Sequence, residues 1–469
     1  MHVISATLAA LLALMIGACA TPAASTVAAS PAAASTVAPP EDPLAAQARA
    51  IVQAYVDRNE FSGTVLVARD GKPVFREAFG LANRELNVPM TPESILRLGS
   101  ITKQFTSASI MQLAEQGKLN IDDPVSKYYA AAPAAWSKIT VRHLLTHRSG
   151  IPSYTGLPGF FEKQSMFPRT PEQIVELTRD MPLEFEPGAQ HAYNNTGYVL
   201  LGYIIEKVSG QTYADYLQQH IFTPLGLKHT GYDDTRTLLS NRAAGYGVED
   251  GVWFNSDYLS MTLPHAAGSL YSNVDDLLLW EEALFSGKAV SPASFAQMIT
   301  DSGDGYGFGL GVGDFQGHTS IRHSGGIPGF STYMARFPDD GMTFIVLSNL
   351  QSGQSNRIAN ELARLWLGLP TPPPPPVLVA VEVKPEVLDR YVGVYELMPD
   401  FNITITRAGN VLSAQATGQN AFALMPTSDT EFHFQPAGIR VVFPAGDGPA
   451  QSFTLHQGSP REAKRIKAN

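Results

Sequence analysis

Strand-like alternation occurs at two places far apart in this chain, and that separation limits the folds open to it. Phe61-Ser62-Gly63-Thr64-Val65-Leu66-Val67-Ala68 is the first such run. A turn at Asp70-Gly71 and a partner run from Val74 to Gly80 make it a hairpin. The next runs come much later: Thr319 to Ser324, Ser331 to Phe337 and Met342 to Asn349, the last pair joined by Pro338-Asp339-Asp340-Gly341. Between the two groups the period changes to that of helices, over Ile101 to about Gly117, Val141 to Thr146 and Gly197 to Ser209. Helical patterns also bracket the whole, at Glu41 to Asn59 and Ser355 to Leu367. An isolated hairpin is marginal in water, so the first two strands need the late ones. The expected fold is therefore α+β: one antiparallel sheet made from both chain ends, flanked by the terminal helices, with the middle as a helical lobe. A cleft between sheet and lobe is the natural place for a site.

Composition sets the outer limits. The chain has 469 residues, 44% of them hydrophobic and 16% charged, enough for a large core and more than one domain. A net charge of −10 and the lack of a long basic run argue against nucleic acid as a partner. Residues 1–18 read as a signal peptide, because the apolar run Ala9 to Ile16 is too short to span a bilayer. That run ends in Ile16-Gly17-Ala18-Cys19, which resembles a bacterial lipobox. Cys19 is the only cysteine, so it is the expected lipidation site, and no disulfide or thiol chemistry is available elsewhere. Ala20 after it resembles an outer-membrane address, giving an exported lipoprotein facing the periplasm and touching the membrane only through its lipid anchor. Residues 19–45 read as the acylated cysteine and a tether of Ala, Ser, Thr, Val and Pro. Residues 46–369 form the main domain. The proline-rich stretch 370–383, with five prolines from Pro372, is an extended linker. In 384–469, alternation in Asn402 to Thr406, Val411 to Ala414, Glu431 to Phe434, Arg440 to Phe443 and Phe453 to His456 predicts a small all-β, barrel-like domain.

The chemistry concentrates at Gly99-Ser100-Ile101-Thr102-Lys103. Ile101, Phe105, Ala108 and Met111 recur at helical steps, giving the helix one apolar face, and Ser100 stands at its start. Lys103 is one turn on, on the same face, where its amine can meet the hydroxyl. A serine is a poor nucleophile until a base takes its proton, and a lysine pressed against an apolar wall has the lowered pKa that suits a base. The helix start adds free backbone N–H groups for an oxyanion. An S-x-x-K tetrad also arises by chance on amphipathic helices, so other segments decide its weight. Tyr193 and Asn195, two apart in a loop before a helix, can point the same way, the phenol to move a proton and the amide to hold substrate or lysine. A packing tyrosine and a helix-capping asparagine are the plain alternative. His323-Ser324-Gly325-Gly326 ends a late strand, where glycines let a substrate backbone lie close. The Gly326 N–H would complete the oxyanion hole with that of Ser100.

In order and spacing this set resembles the serine β-lactamase and penicillin-binding-protein superfamily, and its class C-like branch in particular. Leu96-Arg97-Leu98-Gly99-Ser100-Ile101-Thr102-Lys103-Gln104-Phe105, His143-Leu144-Leu145-Thr146-His147-Arg148-Ser149-Gly150-Ile151-Pro152 and Phe185-Glu186-Pro187-Gly188 carry the likeness, over about residues 46–367. Tyr391-Val392-Gly393-Val394-Tyr395 resembles the small β domain often appended to such proteins. The resemblance implies Ser100 as acyl-accepting nucleophile, with Lys103 and Tyr193 sharing proton transfer. It implies that Asn195, His323, Gly325 and Gly326 face the substrate. His323 stands where penicillin-recognising members carry a lysine, and esterase-like and aminopeptidase-like members are more similar there. The implied activity is hydrolysis of an ester or of a D-amino-acid peptide or amide, on a small-molecule or peptide substrate and without metal or cofactor. Nothing in the sequence sets an oligomeric state. A competing reading is a slow or non-hydrolytic sensor or cell-wall binding protein on the same fold. His143 and His147 have the i, i+4 spacing of helical metal ligands, but without a carboxylate partner they are expected to pack and hydrogen-bond. The loops Pro152 to Thr170 and Val248 to Leu263 are expected to shape the pocket.

Overall fold

A computed structural model describes residues 43–249, 251–370, 378, 380–398, 401–417, 421–434, 438–457 and 460–467. The signal peptide, Cys19, most of the tether and the run of prolines lie outside the described residues. One six-stranded antiparallel sheet organises the main domain. Its order in space is Gly311–Phe315, His318–Ile327, Phe330–Phe337, Met342–Ser348, Gly63–Arg69 and Lys72–Phe79. The first strand of the chain thus lies inside the sheet and pairs with the last one that the sheet contains, Gly63 opposite Ser348 and Arg69 opposite Met342. Gly311–Phe315 is an edge strand that the sequence does not announce, because glycines interrupt its alternation.

Alternation along Gly63–Arg69 divides the core in two. Val65 and Val67 face the terminal helices, Ala45–Asp57 and Ser355–Trp366, where Val52, Tyr55, Ile358, Leu362 and Trp366 pack on them. Leu66 and Ala68 face the other way, into the larger core under the helical lobe.

At the centre of that core lies the helix Thr102–Glu115, entered through a tight turn at Gly99–Ile101. Sequence periodicity predicts one apolar face. The helix is instead buried on all sides, every residue from Thr102 to Met111 included, because sheet and lobe cover opposite faces. Its hydroxyls survive burial by bonding to carbonyls: Ser109 Oγ donates to Phe105 O at 2.8 Å and Thr106 Oγ1 to Ala266 O at 2.6 Å. The Phe105 ring stacks on Trp280 at 4.0 Å, and Trp280 Nε1 donates to Gln104 at 2.9 Å. The lobe is completed by Val141–Leu145, Asn195–Ser209 and Val274–Phe285.

Beyond the linker, eight strands from Gly393–Met398 to Arg461–Lys467 close into a barrel. Tyr391, Tyr395, Ile405, Leu412, Phe432, Phe443 and Phe453 fill its interior, a packed core and not a channel. Gly393–Met398, Phe422–Pro426 and Arg461–Lys467 are the strands missing from the sequence pattern.

Candidate active site

Ser100 is placed by backbone packing. Gly99 adopts φ 56°, a conformation that disfavours side chains, and a Cβ there would lie 2.9 Å from the Gly326 nitrogen. A Cβ on Gly325 would lie 1.9 Å from the Leu98 carbonyl oxygen. Thr332 Oγ1 donates to that same oxygen at 2.7 Å. The nucleophile turn and the late strand therefore touch main chain to main chain, which glycine alone permits.

Lys103 is wholly buried, and its Nζ has three neighbours: Ser100 Oγ at 3.1 Å, Asn195 Oδ1 at 2.9 Å and the Ala267 carbonyl at 2.8 Å. No carboxylate pairs with it among the described residues, and burial drives its pKa well below the ordinary lysine value. A neutral amine has two N–H bonds and one lone pair. The amide oxygen and the carbonyl accept only, so they take the two protons, and the lone pair faces the Ser100 hydroxyl. Asn195 Nδ2 donates to Thr155 Oγ1 at 3.1 Å, which fixes the amide with its oxygen toward the lysine. The site is thus wired for Lys103 to accept the serine proton.

Tyr193 completes the group. Its ring centroid lies 4.8 Å from Lys103 Nζ, and its hydroxyl is near enough to Ser100 to feel that hydroxyl as a stabilising partner of the phenolate. Tyr193 as a residue is 43% exposed, whereas its hydroxyl end is crowded by its neighbours. Burial raises the phenol pKa, the nearby Ser100 hydroxyl only partly opposing it, so the resting group is a phenol and not a phenolate. Asn194, not Asn195, caps the helix Asn195–Ser209, accepting from the Gly197 N–H at 2.7 Å. That leaves Asn195 free to hold the lysine.

The cleft above Ser100 has a volume of about 650 Å³. Tyr154, Phe160, Phe161, Tyr258, Leu259, Ile327 and Phe330 give it apolar walls, and Asn195, Gly326 and Gln351 contribute polar groups. The two loops expected to shape the pocket both do so. Glu162 and Asp257 also line it, and among the described residues no arginine or lysine does.

Two expected substrate contacts lie elsewhere. His323 is buried at 6% exposure, with Nε2 held by the Tyr306 hydroxyl at 3.0 Å and Nδ1 by the Ser324 carbonyl at 2.6 Å. Both ring nitrogens are engaged within the protein, so the ring offers no group to a substrate. Gly325 is spent on the Leu98 contact, and the next two residues of this strand, Gly326 and Ile327, reach the cleft. The His143 and His147 pair is also split. The helix ends at Leu145, His147 turns out of it at φ 56°, and His143 Nδ1 accepts from the Thr140 N–H at 3.3 Å. Sequence reading missed Tyr306, which sits in the glycine-rich run Gly303 to Gly311 where no pattern singles it out.

Comparison with known proteins agrees with this geometry. The family model described as Beta-lactamase matches residues 48–367. Penicillin-binding protein 4* of Bacillus subtilis (strain 168) is 32% identical over 439 residues, 88% of this chain and 96% of that one. The D-aminopeptidase of Gluconobacter oxydans (strain 621H) is 27% identical, over 77% of this chain and 73% of its own. Among solved structures, the octameric penicillin-binding protein homologue from Pyrococcus abyssi superposes with a TM-score of 0.63 at 28% identity, over 89% of this chain and 99% of that one. A buried lysine on a helix, the serine one turn before it and a tyrosine from the facing loop stand on a fold shared with these relatives, and the chain belongs to the beta-lactamase family, within the serine β-lactamase and penicillin-binding-protein superfamily.

Proposed function

We propose that the protein hydrolyses an ester or amide of a D-amino acid through an acyl-enzyme on Ser100. The observation that carries the reading is the orientation of Lys103. A buried, uncharged amine with its other two partners fixed is a base aimed at one hydroxyl. Lys103 takes the Ser100 proton as Oγ attacks the substrate carbonyl. The Ser100 and Gly326 N–H groups face the oxygen that becomes negative. The tetrahedral species collapses by losing its alcohol or amine, which takes a proton from the Tyr193 phenol, and the Lys103 ammonium replaces that proton. Water then attacks the acyl carbonyl, passing its proton back through the same pair, and the acid leaves as Ser100 regains its hydrogen.

The cleft supports a choice among substrates. It holds carboxylates at Glu162 and Asp257 and, among the described residues, no arginine or lysine lines it, so a substrate ending in a free carboxylate meets no cationic partner in that lining. An aminoacyl group carrying a free ammonium meets two. The name of the Gluconobacter relative, a D-aminopeptidase, points to the same class. The run ending at Cys19 supports a place in the bacterial cell envelope, where D-amino acids are built into wall polymers.

The test is a side-by-side panel: D-alanyl and D-phenylalanyl p-nitroanilides, p-nitrophenyl acetate, nitrocefin and a peptide ending in D-Ala-D-Ala. The D-aminoacyl substrates should turn over fastest, with a burst and a mass adduct on Ser100 that Ser100→Ala abolishes. Turnover of the carboxylate-ended peptide above all others would overturn the substrate class. No adduct with any of them would remove the mechanism.

A further inference from the structure

Behind Tyr193 lies a second row of polar groups that acylation does not use. The Asn194 N–H donates to His147 Nδ1 at 3.0 Å. A ring nitrogen that accepts carries no proton, so the proton of a neutral His147 sits on Nε2. Nε2 is 3.2 Å from the Tyr306 hydroxyl oxygen, which receives it. The Tyr306 proton is then left for His323 Nε2 at 3.0 Å. His323 carries its own proton on Nδ1 and gives it to the Ser324 carbonyl at 2.6 Å. Main-chain groups fix the direction at both ends, and every donor meets one acceptor.

The ends of this row belong to opposite walls of the site. Asn194 stands between Tyr193 and Asn195; Ser324 precedes Gly325 and Gly326. The three rings also enclose Tyr193, with His147 at 4.2 Å, Tyr306 edge-on at 6.3 Å and His323 at 6.3 Å between centroids. His147 is 1% exposed and is held at positive φ, where a side chain is disfavoured unless its surroundings fix it.

We propose that His147, Tyr306 and His323 form a positioning relay, a one-directional hydrogen-bonded row of neutral side chains that locks the Tyr193–Asn195 loop to the His323–Gly326 strand around Ser100. Its kinetic consequence rests on the acyl-enzyme reading, whereas its proton placement does not. The groups facing it all favour neutrality. Burial keeps His147 far below the usual histidine range, with Lys103, His191 and His323 adding repulsion. Burial, and then Lys103, push His323 down to about 3. Tyr193 and Tyr198 pack on the rings as phenols, both raised by burial. His191 lies edge-on to His147 at 5.8 Å and is itself lowered by burial, with the Arg148–Asp304 ion pair nearby. A proton added to His147 would set an N–H against the Asn194 N–H and break the row at its first link.

Nitrogen-15 NMR of the histidine rings in the wild-type chain tests the assignment without substrate. His147 should be the Nε2–H tautomer and His323 the Nδ1–H tautomer, both unchanged from pH 8 to pH 5. The opposite tautomer, or an imidazolium, at either position overturns the relay whether or not Ser100 acylates. Tyr306→Phe keeps the ring and removes both links. In it kcat should fall about tenfold or more while KM stays within about twofold, as expected for misplaced catalytic groups. The nitrogen-15 resonance of His323 Nε2 should shift as it loses its hydrogen bond, while the ring stays neutral in its buried place. Unchanged kcat with unchanged histidine resonances in that variant overturns the proposal. If instead the substrate reading is wrong, the kinetic signal disappears while the wild-type tautomers stand as assigned.

Discussion

Replacing Lys103 by methionine should make the protein more stable and nearly inactive, and the size of the first effect should depend on pH in a defined way. Methionine has a similar volume, so the packing beneath Ser100 is kept. Lys103 is fully buried, and its three partners are uncharged oxygens. Its folded pKa is therefore depressed, whereas in the unfolded chain it is an ordinary lysine near 10.5. Between the folded value and 10.5 the unfolded state binds one proton more than the folded state. Wild-type stability must then rise with pH across that window, by about 1.4 kcal/mol per unit for one proton, and fall as pH drops toward the folded value. The methionine variant lacks this slope. Its advantage over wild type should be largest at the acidic end of the window and shrink by about 1.4 kcal/mol per unit toward alkaline pH. Urea unfolding of both proteins at pH 7, 8 and 9 reads the difference directly, and kcat/KM should fall about a thousandfold or more in the variant. Two stability curves running parallel over that range would mean that Lys103 is charged when folded, and the assignment of its lone pair to Ser100 would fail.

Three further outcomes follow from other parts of the structure. Gly325→Ala forces a Cβ to within 1.9 Å of the Leu98 oxygen, so it should cost roughly 1–3 kcal/mol by thermal melting and slow acylation of Ser100 more than it weakens substrate binding. Asp233→Asn leaves the Arg97 and Arg242 guanidiniums, 2.8 Å and 2.7 Å from one buried oxygen, without their counter-charge, and should lower unfolding free energy by about 3 kcal/mol. Glu281 is buried, with one carboxylate oxygen unpartnered among the described residues, and burial raises it to about 7. The folded state then holds the extra proton between 4.5 and 7, so this group's stabilising contribution is full below 4.5 and is lost as pH rises through 7. Glu281→Gln should flatten that loss, by roughly 3 kcal/mol, in melts compared at pH 5 and pH 8.

The parts of this protein that are legible in its sequence are those whose signal is local. Ser100 and Lys103 are one turn apart on a helix, so their meeting depends on helix geometry alone. The first hairpin and the late strands carry clean alternation because each has its own buried face. Legibility ends where tertiary packing decides. Periodicity gives Thr102–Glu115 one apolar face, but its small hydroxyl residues go inside by bonding backward to carbonyls, and the helix is buried all round. His323 occupies a position that faces substrate by analogy, yet Tyr306 claims its ring, and Tyr306 reaches it from a segment without period. His147 carries a helical spacing to His143 that the backbone abandons at Leu145. The barrel shows the same rule: Phe401–Ala408 and Val411–Ala416 alternate, while Phe422–Pro426 is recognisable only by what it pairs with.

The pairing of Gly63–Arg69 with Met342–Ser348 has a consequence for how the molecule is made. During synthesis the opening hairpin leaves the ribosome with one long flank unmatched, and the chain that can zip onto it has yet to be translated. Everything between, including the loop bearing Tyr193, must be produced before the sheet can seal. Until then a bare row of amides and carbonyls is open to any passing extended peptide. A chaperone binding the early hairpin would guard the nascent protein at its most vulnerable place, and the site could assemble only once the chain through Ser348 is in hand, with the barrel still to follow.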